Sequence, residues 1–281
     1  MAITSFIPKL WAARLLQAYD RKLVFGRLVN RNYEGEIRKQ GDTVHINTLN
    51  DITVKTYTPN TEIEDPEQLS TEDQTLVIDH GTYYNFYVDD VDKVQAAGDL
   101  MNTAMTNAAN RLAEDAENYI ITKVLAEGGV KESGAVTKDN IWETIVAIKT
   151  KMDEANVPQS DRNLVVPPSV EGLLLLDDRF IKGSKGENRL EDGAVARAAG
   201  FTIHVSNAPG MAGKMVAFNR DSMTFANQLT ETIAYKPEKR FADAVKGLAL
   251  CGAKVTRPDA VVVYTITAAG GEDAGGEEQG E

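Results

Sequence analysis

Three histidines, one cysteine and a few crowded aspartates are the residues of this chain best equipped for chemistry, and their spacing argues against it. His45, His80 and His204 lie far apart, and Cys251 stands alone between Leu250 and Gly252. A structural zinc site needs several Cys and His ligands, so no metal is expected. A lone thiol in apolar company reads as buried and inert, because a reactive one needs an accessible, electropositive setting. His45 and His204 sit inside strand patterns, and His80 precedes Gly81 as a turn residue would. A Ser-His-Asp triad built from distant residues stays compatible with the sequence, since such partners converge in space. The G-x-S-x-G signal of a nucleophile elbow is missing. So is the G-x-x-x-x-G-K-S/T loop that cradles phosphates; Gly183-Ser184-Lys185-Gly186 is its nearest relative and lacks the strand-to-helix context. Asp89, Asp90 and Asp92 lack the further oxygen ligands and glycine turn of a calcium loop. They read better as the start of a helix, where acidic side chains cap and complement the dipole. No catalytic, cofactor-binding or metal-ligating residue is therefore expected.

Composition narrows the classes further. With 281 residues the chain has room for a sizeable core, and 42% hydrophobic with 26% charged residues is ordinary for a globular protein. The 42 acidic and 30 basic residues leave a net charge of -12. Tight nucleic-acid binding draws on Lys and Arg at phosphates, so the balance disfavours that role. It suits either simple solubility or a container wall that holds DNA without gripping it. One cysteine excludes an intrachain disulfide framework and fits a reducing compartment. Apolar runs such as Leu173–Leu176 and Ala260–Tyr264 fall far short of the roughly 20 residues a membrane helix needs.

The elements that would position these residues follow from periodicity. Leu10, Trp11, Leu15 and Tyr19 recur near helical spacing in an N-terminal arm, with Pro8 at its first turn and Arg27, Asn30, Arg31 and Asn32 as a polar exit. Val44 and Ile46, then Ile52 and Val54, alternate with polar residues, which predicts a hairpin turning at Leu49-Asn50-Asp51. Pro59 to Thr71 reads as an acidic loop, and Leu76 to Ile78 as strand. Such a ribbon is marginal alone and exposes its edges, so it should rest on a neighbour. Residues 82–88 form an aromatic strand. From Val91 to Ala126 a 3.6-residue period runs without proline until Gly128-Gly129, predicting a helix of roughly 50 Å. Residues 138–260 read as α/β. Trp142, Ile145, Ile148 and Met152 mark a helix, Leu164 to Val166 a buried strand, and Ser169 the cap of a helix through Leu176. Ala194–Ala199 reads as helical, Phe201–Val205, Met215–Phe218 and Met223–Phe225 as strands, and Thr232–Tyr235 and Val261–Thr267 as further β structure. The two glycines of Val245–Lys254 predict a bend or bulge. Residues 268–281 are too poor in apolar side chains to fold and are expected to be a disordered acidic tail.

Four blocks in this order resemble a known family. They are Leu76-Val77-Ile78-Asp79 with Tyr83–Phe86 and Val88–Asp92; Asn163–Pro168 with Gly172–Asp177; Gly193–Gly200 with Phe201–Asn207; and Phe241–Gly247 through Gly252–Val255 and Arg257-Pro258. The chain from about residue 36 to 267 resembles tailed-bacteriophage major capsid (coat) proteins of the α+β Hong Kong 97-type fold, in the branch typified by the Salmonella phage coat protein. The resemblance implies an N-terminal arm (1–35), an extended loop (36–80) lying over an adjacent subunit, and a peripheral domain with its spine helix (81–137). It further implies an axial domain (138–230), a return to the peripheral domain (231–267) and the tail.

That likeness implies a protein that catalyses nothing and assembles as pentamers and hexamers of an icosahedral shell around double-stranded DNA, contacted without sequence specificity. The virion capsid would be its location, after assembly in the host cytoplasm. No long pro-segment precedes the coat region, which points to a separate scaffolding protein; a portal protein and a decoration protein are the other implied partners, and no membrane. Arg27, Arg31, Arg38, Lys39, Lys55, Tyr57, Glu62, Glu64 and Asp65 are the residues expected at contacts between subunits. Lys55 reads as a solvated lysine in preference to a cross-link donor. Deleting Gly41–Tyr57 is expected to leave a soluble subunit unable to close shells. An encapsulin-like nanocompartment of the same fold class and a soluble α/β enzyme are the alternative readings.

Overall fold

The computed structural model describes residues 15–20, 22–33, 42–49, 53–54, 56–57, 59, 62, 65, 68, 71–89, 100–177, 197–239 and 242–267. The start of the arm's apolar stripe, Asp90 and Asp92, the glycine-lysine cluster and the acidic tail lie outside these residues.

Chain order gives α1 (Phe25–Leu28), β1 (Thr43–Leu49), β2 (Thr71–Val77), β3 (His80–Asp89), α2 (Leu100–Glu127), β4 (Val130–Ala135), α3 (Ile141–Glu154) and β5 (Arg162–Val166). There follow α4 (Pro168–Leu175), β6 (Arg197–Ala198), β7 (Phe201–Val205), β8 (Lys214–Asn219), β9 (Met223–Tyr235), β10 (Ala242–Val255) and β11 (Val261–Thr267). The strands form a two-stranded ribbon (β1-β2), a three-stranded sheet (β3-β10-β9) and a six-stranded sheet (β4-β11-β8-β5-β7-β6).

Helix α2 is the expected strut. Its 28 residues extend about 42 Å at 1.5 Å each. It ends where Gly128 N–H bonds the Val124 carbonyl and Gly129 N–H bonds that of Pro258, whose backbone approaches too closely for a Cβ at residue 129. The helix lies between the two larger sheets. Met105, Leu112, Ala116, Ile120 and Val124 share one core with Val245, Cys251 and Val255 of β10 and with Val165, Val216, Phe218, Val261 and Val263 of the six-stranded sheet. Alternate residues of the same strands, Leu164, Val166, Met215, Ala217 and Val262, point the other way and meet Ile141, Ile145, Ile148 and Met152 of α3. Two-sided burial explains why Leu164–Val166 of β5 reads as a continuous apolar run.

Four sequence expectations change. The partner of β1 is β2, antiparallel from Thr43↔Val77 to Leu49↔Thr71, whereas Thr53 and Val54 belong to no strand. The predicted turn at Leu49-Asn50-Asp51 therefore does not close the hairpin, because the nearest alternating run is not the one that buries an apolar face. Ser169 lies inside α4 and Pro167 occupies the cap, its rigid ring placing Pro168 at the first helical position. Arg197 and Ala198 are strand, and positive φ at Ala199 (47°) and Gly200 (89°) turns the chain into β7. The primed-turn geometry of a tight hairpin thus overrides the helix propensity of small residues. His80 opens β3 instead of standing in a turn.

Strand β10 shows the predicted irregularity, a register shift between Gly247 and Ala249. β9 runs through residues 230 and 231 without a break, and β11 lies in the six-stranded sheet.

Candidate inter-subunit surface

The described part of the arm belongs to its own subunit. Leu15, Tyr19, Leu23, Phe25 and Val29 are buried in the main core, and Phe25 stacks on Phe218 with ring centroids 5.7 Å apart. Glu117, in the middle of α2, fastens the arm. One carboxylate oxygen accepts from the N–H groups of Val24 (2.7 Å) and Gly26 (3.1 Å), the other from Phe25 (3.1 Å). These are the orphan donors at the start of α1, so a buried carboxylate acts as its cap. Burial pushes the Glu117 carboxyl above the ordinary glutamate value, against the pull of the three donors. Asn30 then bridges to Thr224, adding one rung to the edge of β9.

The ribbon has a covered root and an uncovered tip. Val44, Ile46, Leu76 and Ile78 are buried against Ala226 and Leu250 on the outer face of the three-stranded sheet, with Tyr33 beside them. Gly252 is required there, since a Cβ would collide with the Val77 carbonyl. Farther out, Val54 is 93% exposed and Tyr57 69% exposed. The outer face of the sheet is likewise covered only in part. Beyond the root, Tyr83, Tyr87, Ile233 and Leu248 remain exposed, and Tyr83, Ile233 and Leu248 line a 210 Å³ groove together with Lys246. Lys246 lies 5.2 Å from the centre of the Tyr235 ring, and the Tyr235 hydroxyl donates to Asn85. The opposite face of β3 carries Tyr84, whose ring lies over Gly247 and whose hydroxyl is 2.9 Å from that of Thr232.

Of the residues expected at subunit contacts, Tyr57, Glu62, Asp65 and Arg27 are exposed. Arg31 is half-buried and bonds Asp20 (3.5 Å) and Asn227 (3.2 Å) of its own chain. Arg38, Lys39, Lys55 and Glu64 lie outside the described residues. Sequence reasoning passed over Tyr83, Tyr87, Ile233 and Leu248. The signal was present: a run of Tyr-Tyr-Asn-Phe-Tyr puts aromatics on both faces of one strand, and one face has only the ribbon to cover it.

Of the three histidines, His80 alone meets the cysteine, and the two form no reactive centre. His80 pairs with Cys251 across β3 and β10, and its Nε2 lies 2.5 Å from Asp115. Burial pushes the Cys251 thiol up to about 12, and Asp115 and Asp79 push the same way. A nucleophilic cysteine needs the opposite field. His45 lies 2.8 Å from Asp73 on the ribbon's exposed face. His204 is half-buried 3.3 Å from the Asn163 side-chain oxygen, and burial with Arg27 nearby lowers its pKa. Among the described residues no group of three or more His, Cys, Asp or Glu is placed to hold a metal. No described helix is long and apolar enough to cross a membrane.

A strut helix between two sheets, with a separate two-stranded ribbon packed on one of them, is the Hong Kong 97-like α+β fold of phage capsid structures. Residues 72–264 match the model of the family described as Phage capsid protein, and the chain belongs to that family. It is similar to a chain of Mycobacterium phage Che8, at 28% identity and TM-score 0.73 over 88% of this chain and 92% of that one. The cyanophage P-SCSP1u capsid structure shares the fold at 16% identity and TM-score 0.71, over 88% of this chain and 89% of the other. A virus-like particle from Pyrococcus furiosus shares it at 17% identity and TM-score 0.57, over 90% and 96%. No curated protein matches the sequence. The chain is thus a phage major capsid protein, a structural and non-catalytic component of the virion's icosahedral shell.

Proposed function

We propose that this subunit assembles as pentamers and hexamers that enclose phage double-stranded DNA, with the ribbon of each copy lying across its neighbour. The observation that carries the reading is the mismatch along the ribbon: its root is buried on its own sheet, while Val54 and Tyr57 at the tip are exposed. Glu62 and Asp65, in the same connection between β1 and β2, are exposed too, and Lys246 lines the apolar groove with Tyr83 and Ile233. A tip carrying apolar and acidic groups complements that strip on a second copy. Many such contacts, each modest, hold a closed shell through repetition. Arg27, Arg38, Lys39, Lys55 and Glu64 are proposed to join these contacts.

The division into arm, extended loop, peripheral domain, axial domain and returning strands is part of this proposal, as are the separate scaffolding protein, the portal protein, a decoration protein and assembly in the host cytoplasm. The DNA is contacted without sequence specificity, consistent with the net charge of -12. The Salmonella-phage branch remains our placement within the family, on the four sequence blocks. A nanocompartment shell is the second reading, favoured by the likeness to the Pyrococcus furiosus particle; the match to the phage family places it behind the first.

Electron microscopy of the protein co-expressed with its scaffolding protein tests the proposal. Closed icosahedral particles are expected. A protein that stays monomeric, with no symmetric lattice, overturns it.

A further inference from the structure

The ribbon β1-β2 is not hydrogen-bonded into either larger sheet. No backbone ladder therefore sets the angle at which it leaves the body. Its apolar root, Val44, Ile46, Leu76 and Ile78 on Ala226 and Leu250, holds it in place, but apolar contact is non-directional. Direction must come from hydrogen bonds, whose strength depends on alignment. One is Gln74, which donates to the Thr256 carbonyl at 3.2 Å. A cluster of others lies at Asp79 and His80, where the chain passes from β2 into β3.

Both residues are held by one stripe of α2. Asp115, Tyr119 and Lys123 stand four residues apart, so they share a face of the helix. Asp115 lies 2.5 Å from His80 Nε2 and also accepts from the Thr82 hydroxyl at 3.0 Å. The Tyr119 hydroxyl donates to Asp79, and its ring stacks on His80 with centroids 4.5 Å apart. Lys123 reaches the other Asp79 oxygen at 3.3 Å and lies 5.4 Å from the centre of the Tyr119 ring. Although burial works the other way, Tyr119 and Lys123 hold the Asp79 carboxyl below the ordinary range, so its charge stays available to both at neutral pH.

We infer that Asp115, Tyr119 and Lys123 form a clamp on Asp79 and His80 that fixes the launch angle of the ribbon and, through it, the curvature at which neighbouring subunits join. Ribbon and helix turn as one body while the clamp is closed; a new angle requires its release. The side chains of Asp79, His80, Asp115 and Lys123 are each 29–47% exposed, so water competes for their bonds and the clamp is weak enough for a neighbour's pull on the tip to open. The inference rests on the shell-building reading and adds a determinant of shell geometry to it.

The double variant His80→Phe/Tyr119→Phe tests it. Both rings remain to stack, while the His80–Asp115 and Tyr119–Asp79 bonds are lost and Lys123 still reaches Asp79. Backbone amides of Thr43–Leu49 and Thr71–Val77 should exchange hydrogen at least about tenfold faster than in the wild type. Particles assembled with the scaffolding protein should span several diameters or remain open, while Lys123→Arg, which keeps charge and reach, should give wild-type particles. Closed particles of wild-type diameter from the double variant would overturn the clamp, even if its stability fell, because a merely structural role predicts that result. Should the double variant fail to fold, Tyr119→Phe alone is read by the same two measurements. If the wild-type protein forms no shell, the shell reading fails, and the exchange comparison alone decides whether the clamp exists.

Discussion

At Glu117 the carboxylate's three acceptor bonds hold the arm to the strut, so the two oxygens can be separated by substitution. In Glu117→Ala, three N–H groups at the start of α1 are left with no side-chain acceptor, in a region that is largely buried. Each orphaned donor costs about 1–3 kcal/mol, and the sum should exceed about 3 kcal/mol in urea unfolding. Glu117→Gln keeps the oxygen that serves Val24 and Gly26 and should lose at least about 1 kcal/mol less. The charge also leaves a pH signature. Because burial raises the folded-state pKa, the native protein holds more protons than the unfolded chain between the ordinary glutamate value of about 4.5 and the raised value. Stability should therefore fall as pH rises through that window, and the Gln variant should lack this component of the slope. Unfolding midpoints measured across pH 4–7 for both proteins check the sign. Cys251 offers a second residue-level outcome. With its thiol buried and pushed up to about 12, iodoacetamide at neutral pH should label it only after unfolding, and mass spectrometry reads the modification directly.

At the scale of elements, how much the sequence disclosed depended on how local each constraint was. Helix α2 was legible because its period, its lack of proline and its Gly128-Gly129 stop all act within a few turns. Buried β5 and the register shift in β10 were legible for the same reason. The ribbon was not, since β1 pairs across a connection of more than twenty residues while Ile52–Val54 offers a nearer imitation of a partner. Loop closure grows costly only slowly with length, so distance alone does not favour the nearer strand. Nor was the clamp legible: Asp115, Tyr119 and Lys123 gave a spacing, but only the fold brings Asp79 and His80 to it. The β6-β7 turn was misread because alanine favours helix, yet Ala199 is held at φ 47° by its place before Gly200. A left-handed alanine is strained by roughly 1–2 kcal/mol, and Asn-Gly is the preferred pair for this turn. Ala199→Asn should thus stabilise the subunit by about 1 kcal/mol, visible as a raised denaturant midpoint with unchanged slope. Gly252→Ala should act in the opposite direction, since the new methyl group must displace the Val77 carbonyl and lift the ribbon from its seat.

For the whole molecule, the ribbon's two halves require different experiments. Removing Gly41–Tyr57, the deletion suggested by sequence, would take away Val44 and Ile46 and uncover Leu250 and Ala226. Loss of shells from that variant would report damage to the subunit as much as loss of a contact. The register provides a cleaner cut. Leu49 and Thr71 are the last paired residues, so replacing residues 50–70 by Asn-Gly joins the strands through a two-residue turn and leaves the root intact. The shortened chain loses Val54, Tyr57, Glu62 and Asp65, of which the first two are largely exposed in the isolated subunit. Its unfolding free energy should then stay within about 1 kcal/mol of the wild type, as expected for surface changes. Sedimentation should find soluble subunits or small oligomers and no closed particles, because Val54, Tyr57, Glu62 and Asp65 of the tip are exposed on their own chain. Normal particles from this variant would mean that the shell is held by its other interfaces, and that the uncovered strip at Tyr83, Ile233 and Leu248 faces something other than a neighbour's ribbon.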